Sequence, residues 1–309
     1  MNNFLRLLEF ITSLIATTVL MNAQWVQTIG PYGGNITSLV VTEKSIYAGT
    51  SGGGGIYLST NNGESWEPIG LSNKDIGVLM SSGMYIWAGT QGHGIFCSTD
   101  NGANWREVNN GLTNKYMLSF TISGANAFAG TTNGIFLSTN NGNSWKQISN
   151  GLTNNDIRAL ASMDGKIFAG TPDGVYIKED SGTAWKKANN GLTNTYINAL
   201  VTQSGCVIAG TRNGLFRTSD NGINWNIVGR SDKEFTALST DGVSIVAGTG
   251  YTINDIDKSD GIYQSIDNTG LFWIQVGANN TVVNALTVLG KNIFSATQHG
   301  IDVYNGISK

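Results

Sequence analysis

The sequence predicts an all-β fold, a seven-bladed β-propeller of four-stranded antiparallel blades, closed by pairing of the N-terminal strand into the C-terminal blade. Three observations predict it. A phrase ending in tryptophan recurs six times: STNNGESW (59–66), STDNGANW (98–105), STNNGNSW (138–145), KEDSGTAW (178–185), TSDNGINW (218–225) and SIDNTGLFW (265–273), the last with one extra residue. An apolar strand ending in AGT closes at Thr50, Thr90, Thr131, Thr171, Thr211 and Thr249, with a degenerate IFSAT at Thr297; the spacings are 40, 41, 40, 40, 38 and 48 residues. Finally, the two ends of the chain complement each other. WVQTIG from Trp25 matches WEPIG after Trp66, a fourth strand without its first three, while VNALTVLG, KNIFSATQ and GIDVYNG (283–306) are three strands without a fourth.

Taken in order, residues 1–23 carry Arg6, an apolar run from Leu7 to Met21, and the small Ala23 before Gln24. This is the layout of a secretory signal peptide cleaved after Ala23; its run of about 15 residues is short for a span of roughly 20. The mature protein is expected in the periplasm or outside the cell, and not as an integral membrane protein. Residues 24–309 form a single domain, with the last blade made of about 283–309 plus 24–30. An open ring would leave two sheet edges unpaired, which gives the closure its physical motive. Each blade reads as an apolar strand, the AGT strand, a short turn, a third strand opening with Gly, and the phrase. Gly is frequent at 41 residues and Pro rare at 3, as tight turns between short strands require. Cys97 and Cys206 sit at non-equivalent positions of different repeats and are expected free and packed. Charged residues make up 13% and the formal net charge is −3, which offers no basic footprint for nucleic acid.

The phrase itself reads as a turn. Ser and Asp or Asn side chains bond nearby backbone N–H groups, Gly63 and its counterparts take positive φ, and the tryptophans (Trp66, Trp105, Trp145, Trp185, Trp225, Trp273) tuck between blades. The acid position holds Asn61, Asp100, Asn140, Asp180, Asp220 and Asp267. Asn accepts hydrogen bonds as Asp does but cannot act as a general acid or base, so the phrase is expected to fold the blade and not to catalyse.

S-x-[DN]-x-G-x-x-W resembles the Asp-box, or bacterial neuraminidase repeat, and the plan over residues 24–309 resembles the photosystem II stability/assembly factor-like and sortilin-type propeller families. The resemblance implies that the boxes lie on one face and that the opposite face binds. It implies a scaffold for a protein or peptide, in an assembly- or stability-factor-like role. The arginine-rich patch of the assembly factors is not evident. Sialidases share the box but use six blades and an arginine triad; the mature chain has only Arg106, Arg158, Arg212, Arg217 and Arg230, and sialidase activity is rejected. The alternatives are a carbohydrate-binding, lectin-like propeller and a glycoside hydrolase of the Asp-box type, for which Asp75 and Asp156 would be the acid pair to test.

On that opposite face, the residues entering the first strands are Asn35, Asp75, Tyr116, Asp156, Tyr196, Glu234 and Val282, a ring around the channel mouth. The residue before the Gly of each second-to-third-strand turn is Gly54, His93, Asn133, Asp173, Asn213, Asp260 and His299. This is the residue type that a two-residue hairpin turn with positive φ prefers. Both histidines, His93 and His299, hold this position, with one blade between them. The blade-six turn is long and holds Asp255, Asp257, Ser259 and Asp260; D-x-D-x-S resembles the start of a calcium loop but lacks the sixth-position Gly and the twelfth-position Glu. It reads as a solvated loop, and no cofactor is expected.

Overall fold

The computed structural model describes residues 25–31, 34–179, 182–253, 256–277 and 281–306. The expected signal peptide, Asp180 and Asp255 lie outside them. Seven four-stranded antiparallel sheets account for the architecture, and among the described residues there is no α-helix. No described helix is therefore long and apolar enough to cross a membrane.

Blade one is Ile36–Val41, Ile46–Thr50, Ile56–Ser59 and Glu67–Gly70, and the pattern recurs up to blade six, Phe235–Thr240, Ile245–Thr249, Ile262–Ser265 and Trp273–Gly277. Blade seven is composite. Ala285–Leu289, Asn292–Thr297 and Gly300–Asn305 receive Trp25–Gln27 as the fourth strand, in the register Trp25↔Tyr304, Val26↔Val303 and Gln27↔Asp302. The first strands of neighbouring blades touch all the way round, and Ala285–Leu289 lies against Ile36–Val41. The ring is closed, as the sequence requires.

The core is a set of seams between blades. Phe128 and Ile135 of blade three pack with Ala169 and Tyr176 of blade four, and the same combination recurs at the other seams. The phrase turns hold these seams. In blade three Ser138 Oγ donates to Asn140 Oδ1 (3.0 Å) and accepts Gly142 N–H (2.8 Å), while Asn140 Oδ1 accepts Ser144 N–H (2.9 Å). Gly142 sits at φ +80°, and its neighbour Asn141 is also left-handed at +54°, as are Asn62, Asn101 and Asn221 in three other phrases. Indole Nε1 of Trp145 then donates to Val108 O of the preceding blade (2.9 Å), as Trp105, Trp185 and Trp225 do to Ile69, Ile148 and Ala188. Trp66 and Trp273 depart from this. The Trp66 indole N–H is buried without a partner among the described residues, and Trp273 bonds Gly270 O inside its own longer phrase. Cys97 and Cys206 are free and buried.

Two expectations about turns are corrected. The residue before Gly in the second-to-third-strand turn is not at positive φ. The Gly itself is, at +81° for Gly94 and +126° for Gly300. The AGT threonine explains the shift. Buried Thr90 donates its hydroxyl to Gly94 O (2.8 Å) and accepts His93 N–H (3.1 Å), so the turn is stitched by a side chain and the bend falls one residue later. The blade-six insert is not an irregular loop. It is a short hairpin, Tyr251–Ile253 paired with Ile256–Lys258, with Asp257 opposite Thr252.

Candidate functional site

In a four-stranded meander the first-to-second and third-to-fourth turns share one face. The second-to-third turns and the inter-blade loops share the other. The phrases thus occupy one face, and the ring of strand-entering residues occupies the opposite one.

That ring is built by backbone chemistry. The carbonyl oxygens of Asn35, Asp75, Tyr116, Tyr196 and Glu234 each accept the N–H of the residue after the AGT threonine, at 2.9–3.3 Å. Pro172 follows Thr171 and has no N–H to give, so Asp156 is free of this contact. The near-identical loops before Tyr116, Asp156 and Tyr196 fix their entry through Asn114, Asn154 and Asn194, whose side-chain oxygens accept the N–H two residues on.

The mouth is lined one step further in. Register shifts at the start of several first strands, between Ile36 and Ser38, Met117 and Ser119, Ile197 and Ala199, and Phe235 and Ala237, leave Thr37, Leu118, Asn198 and Thr236 as bulge residues. Several of their side chains tie one blade to the next. Asn198 Nδ2 donates to Phe235 O (3.0 Å) and Thr236 Oγ1 to Val283 O (2.6 Å). Asn284, at the equivalent position of blade seven, donates to Ile36 O (2.9 Å). A depression of about 640 Å³ opens there, lined by Leu118, Thr132, Asp156, Arg158, Asn198 and Thr236.

Around it, blades four to six carry a continuous polar ladder. Arg158 Nε donates to Asp156 Oδ2 (3.0 Å). The guanidinium carbon of Arg158 lies 4.8 Å from the Tyr196 ring centroid and that of Arg212 lies 3.6 Å from it. Arg212 Nε is 3.6 Å from Glu234 Oε1, which also accepts Asn198 Nδ2–H (3.2 Å). Two cations thus share one aromatic ring, each steadied from outside by a carboxylate, and their side chains remain 38% and 54% exposed. Arg158 and Arg212 are far apart in sequence, and only the blade repeat brings them to one tyrosine.

The other candidates are placed differently. Asp75 Oδ1 accepts Gly53 N–H (2.8 Å) and is a support for the blade-one turn, apart from Asp156 and its arginine. Asn35 Oδ1 accepts Asn284 Nδ2–H (2.6 Å). Tyr116 is 52% exposed beside Gly92. Burial pushes the Asp173 carboxyl up, but hydrogen bonds from Thr171, Thr153, Lys187 and Tyr176 outweigh it and hold it below the usual carboxylate range. Lys233 reaches Asp260 (3.1 Å). His93 and His299 belong to the turns of blades two and seven and are not brought together; their carbonyls accept Asn109 Nδ2–H and Gln27 Nε2–H. Among the described residues no three His, Cys, Asp or Glu side chains converge as a metal site would need.

Residues 111–258, just under half of the chain, match the family model described as the DUF6242 beta propeller domain. No curated protein matches the chain. Among solved structures it is similar to YCF48 from Cyanidioschyzon merolae, with a TM-score of 0.69, 16% identity, and 91% of this chain and 98% of that one covered. It is similar to YCF48 bound to D1 peptide, with a TM-score of 0.69, 17% identity, and 93% and 96% covered. The GH74 enzyme of Niastella koreensis gives a TM-score of 0.68 at 13% identity; 90% of this chain is covered but only 53% of the enzyme, so the chain spans about half its length. At these identities the likeness is one of fold.

Proposed function

We propose that the chain is an exported, non-catalytic Asp-box propeller that binds a protein or peptide segment carrying carboxylate groups, on the face opposite the boxes. The observation that carries this reading is the pair of guanidinium groups on Tyr196. Each arginine is oriented through Nε by a neighbouring carboxylate, which leaves the terminal N–H edges for a ligand. Arginine forks match carboxylates in a bidentate way, and the aromatic ring between them limits the side-chain entropy lost on binding. The depression beside them admits an extended segment.

The non-catalytic part of the reading rests on the two carboxylates a hydrolase would use. Asp75 is occupied by a backbone N–H and Asp156 by Arg158, so each has a separate supporting task. The fold likeness to a peptide-bound propeller is compatible with an assembly- or stability-factor-like role. The fold likeness to GH74 keeps polysaccharide as the competing ligand.

Fluorescence anisotropy with labelled peptides tests the proposal. Acidic and free-carboxylate peptides should bind better than their amidated or Gln-substituted counterparts, and Tyr196→Ala should weaken them by roughly 10-fold or more. Equal binding of acidic and neutral peptides would overturn it, and saturable binding of xyloglucan with no peptide binding would move the assignment to carbohydrate.

A further inference from the structure

The internal repeat supplies its own control for each position. In six blades the alanine of the AGT strand stands opposite an aromatic residue of the third strand: Ala48↔Tyr57, Ala88↔Phe96, Ala129↔Phe136, Ala169↔Tyr176, Ala209↔Phe216 and Ala247↔Tyr263. In blade seven the pair is Ser295↔Asp302. An apolar position filled by an aromatic ring everywhere else holds a carboxylate, and its partner gains a hydroxyl.

The row continues outward. Asp302 also stands opposite Gln27 of the N-terminal strand, so Ser295, Asp302 and Gln27 share one blade face. They form a graded path: Gln27 exposed, Asp302 half-buried, Ser295 fully buried. Ser295 Oγ has no hydrogen-bond partner among the described residues, and Asp302 forms no ion pair there. Gln27 commits its Nε2 to His299 O (3.0 Å), which leaves Oε1 as an acceptor. Burial pushes the Asp302 carboxyl above the usual carboxylate range, and His299 pulls it part of the way back. Two residues along on the same face, Trp25 stacks on Tyr304 (5.3 Å), and both pack with Ile262 and Val276 of blade six.

We propose that this seam between blades six and seven is a recognition site for a primary ammonium on an apolar stem, the chemistry of a lysine side chain. An ammonium has three donors and no acceptor. The row offers three acceptors, one of them charged, beside the apolar Trp25–Tyr304 stack. The stem lies along the Trp25–Tyr304 stack, which also favours a cation. Ammonium binding answers both oddities together, the unpaired carboxylate and the unpartnered hydroxyl, which a solvated surface Asp would not. The site is separate from the Arg158–Tyr196–Arg212 ladder and takes the opposite charge, so the two assignments stand or fall independently.

The test follows the Trp25 indole N–H resonance, assigned with Trp25→Phe, during titration with n-butylammonium and with n-butanol. A saturable shift with the amine and none with the alcohol is expected. Asp302→Asn should weaken binding at least 10-fold, and Ser295→Ala, which restores the residue of the other six blades, several-fold with folding intact. No saturable shift, or an equal one in Asp302→Asn, overturns the proposal. A blocked lysine peptide and a glucosamine dimer then separate the sources: tighter binding of the peptide supports a protein partner, and tighter binding of the sugar overturns the lysine assignment.

Discussion

Four of the phrases come in two hydrogen-bonding versions, and swapping one for the other is a sharp test of their role. Where the acid position is Asn, four residues later stands Ser: Asn61 and Asn140 donate from Nδ2 to Ser65 and Ser144 Oγ (2.9 Å each). Where it is Asp, four residues later stands Asn in two blades, and the direction reverses: Asn104 and Asn224 donate from Nδ2 to Asp100 and Asp220 Oδ2 (2.7 and 2.9 Å). Asp220→Asn alone sets two amide donors against each other and removes a charged acceptor. Hydrogen bonds from the Asn224 backbone, Thr218 and the Asn224 side chain hold the Asp220 carboxyl down at about 2. At about 1.4 kcal/mol per pKa unit, that depression corresponds to about 2 kcal/mol, and partial exposure reduces it to about 1. Asp220→Asn should therefore cost about 1–1.5 kcal/mol and Asn224→Ser about 0.5–1. The double variant reproduces the Asn61–Ser65 version and should return to within about 0.5 kcal/mol of the parent, a coupling of about 1 kcal/mol. Thermal melts at neutral pH read each kcal/mol as roughly 2–4 °C. Additive losses in the double variant would refute the reasoning. Because the Asp220 pKa is depressed on folding, its contribution is present above the ordinary carboxylate range and is lost as pH falls through about 2.

Three further outcomes are expected. Removing residues 24–30 takes away the closing strand, the Trp25–Tyr304 stack and the Trp25 bond to Val276 O (3.0 Å), and Trp25→Ala alone should cost about 3 kcal/mol; an unchanged melting temperature would contradict closure. Thr211→Val leaves Gly214 O and Asn213 N–H without the buried hydroxyl that serves both, and chemical denaturation should show a loss of about 2 kcal/mol. The Asp302 pKa is raised on folding, so its ionisation opposes the fold as pH rises above the ordinary carboxylate range; Asp302→Asn should gain stability relative to the parent at pH 8 and not at pH 3, as paired melts would show.

The blade count and the closure were legible because each blade repeats its chemistry in a fixed register, and the missing strand beside Trp25 had one place to go. The structural task of the phrase was legible from Asn61 and Asn140 alone. The mouth was less so. Sequence reasoning selected Asp156, Tyr196 and Glu234, but Arg158 and Arg212 join them only through the spacing of neighbouring blades, a relation that no local window contains. Aligning the repeats column by column would have found Arg158, two residues after Asp156, and Asp302, opposite the column of alanines. The hairpin at Tyr251–Lys258 was hidden because its Asn and Asp content reads as loop, while backbone pairing needs no apolar face.

The central claim is that this propeller binds with the face opposite its phrases. Its most direct measurement is the affinity of one acidic peptide for the parent, for Arg212→Gln and for Glu64→Gln, the last an exposed residue of the blade-one phrase. Arg212→Gln should lose roughly 10–100-fold, as for a charge-assisted contact, and Glu64→Gln should bind unchanged. A loss at Glu64 with binding intact in Arg212→Gln would place recognition on the phrase face and contradict the account.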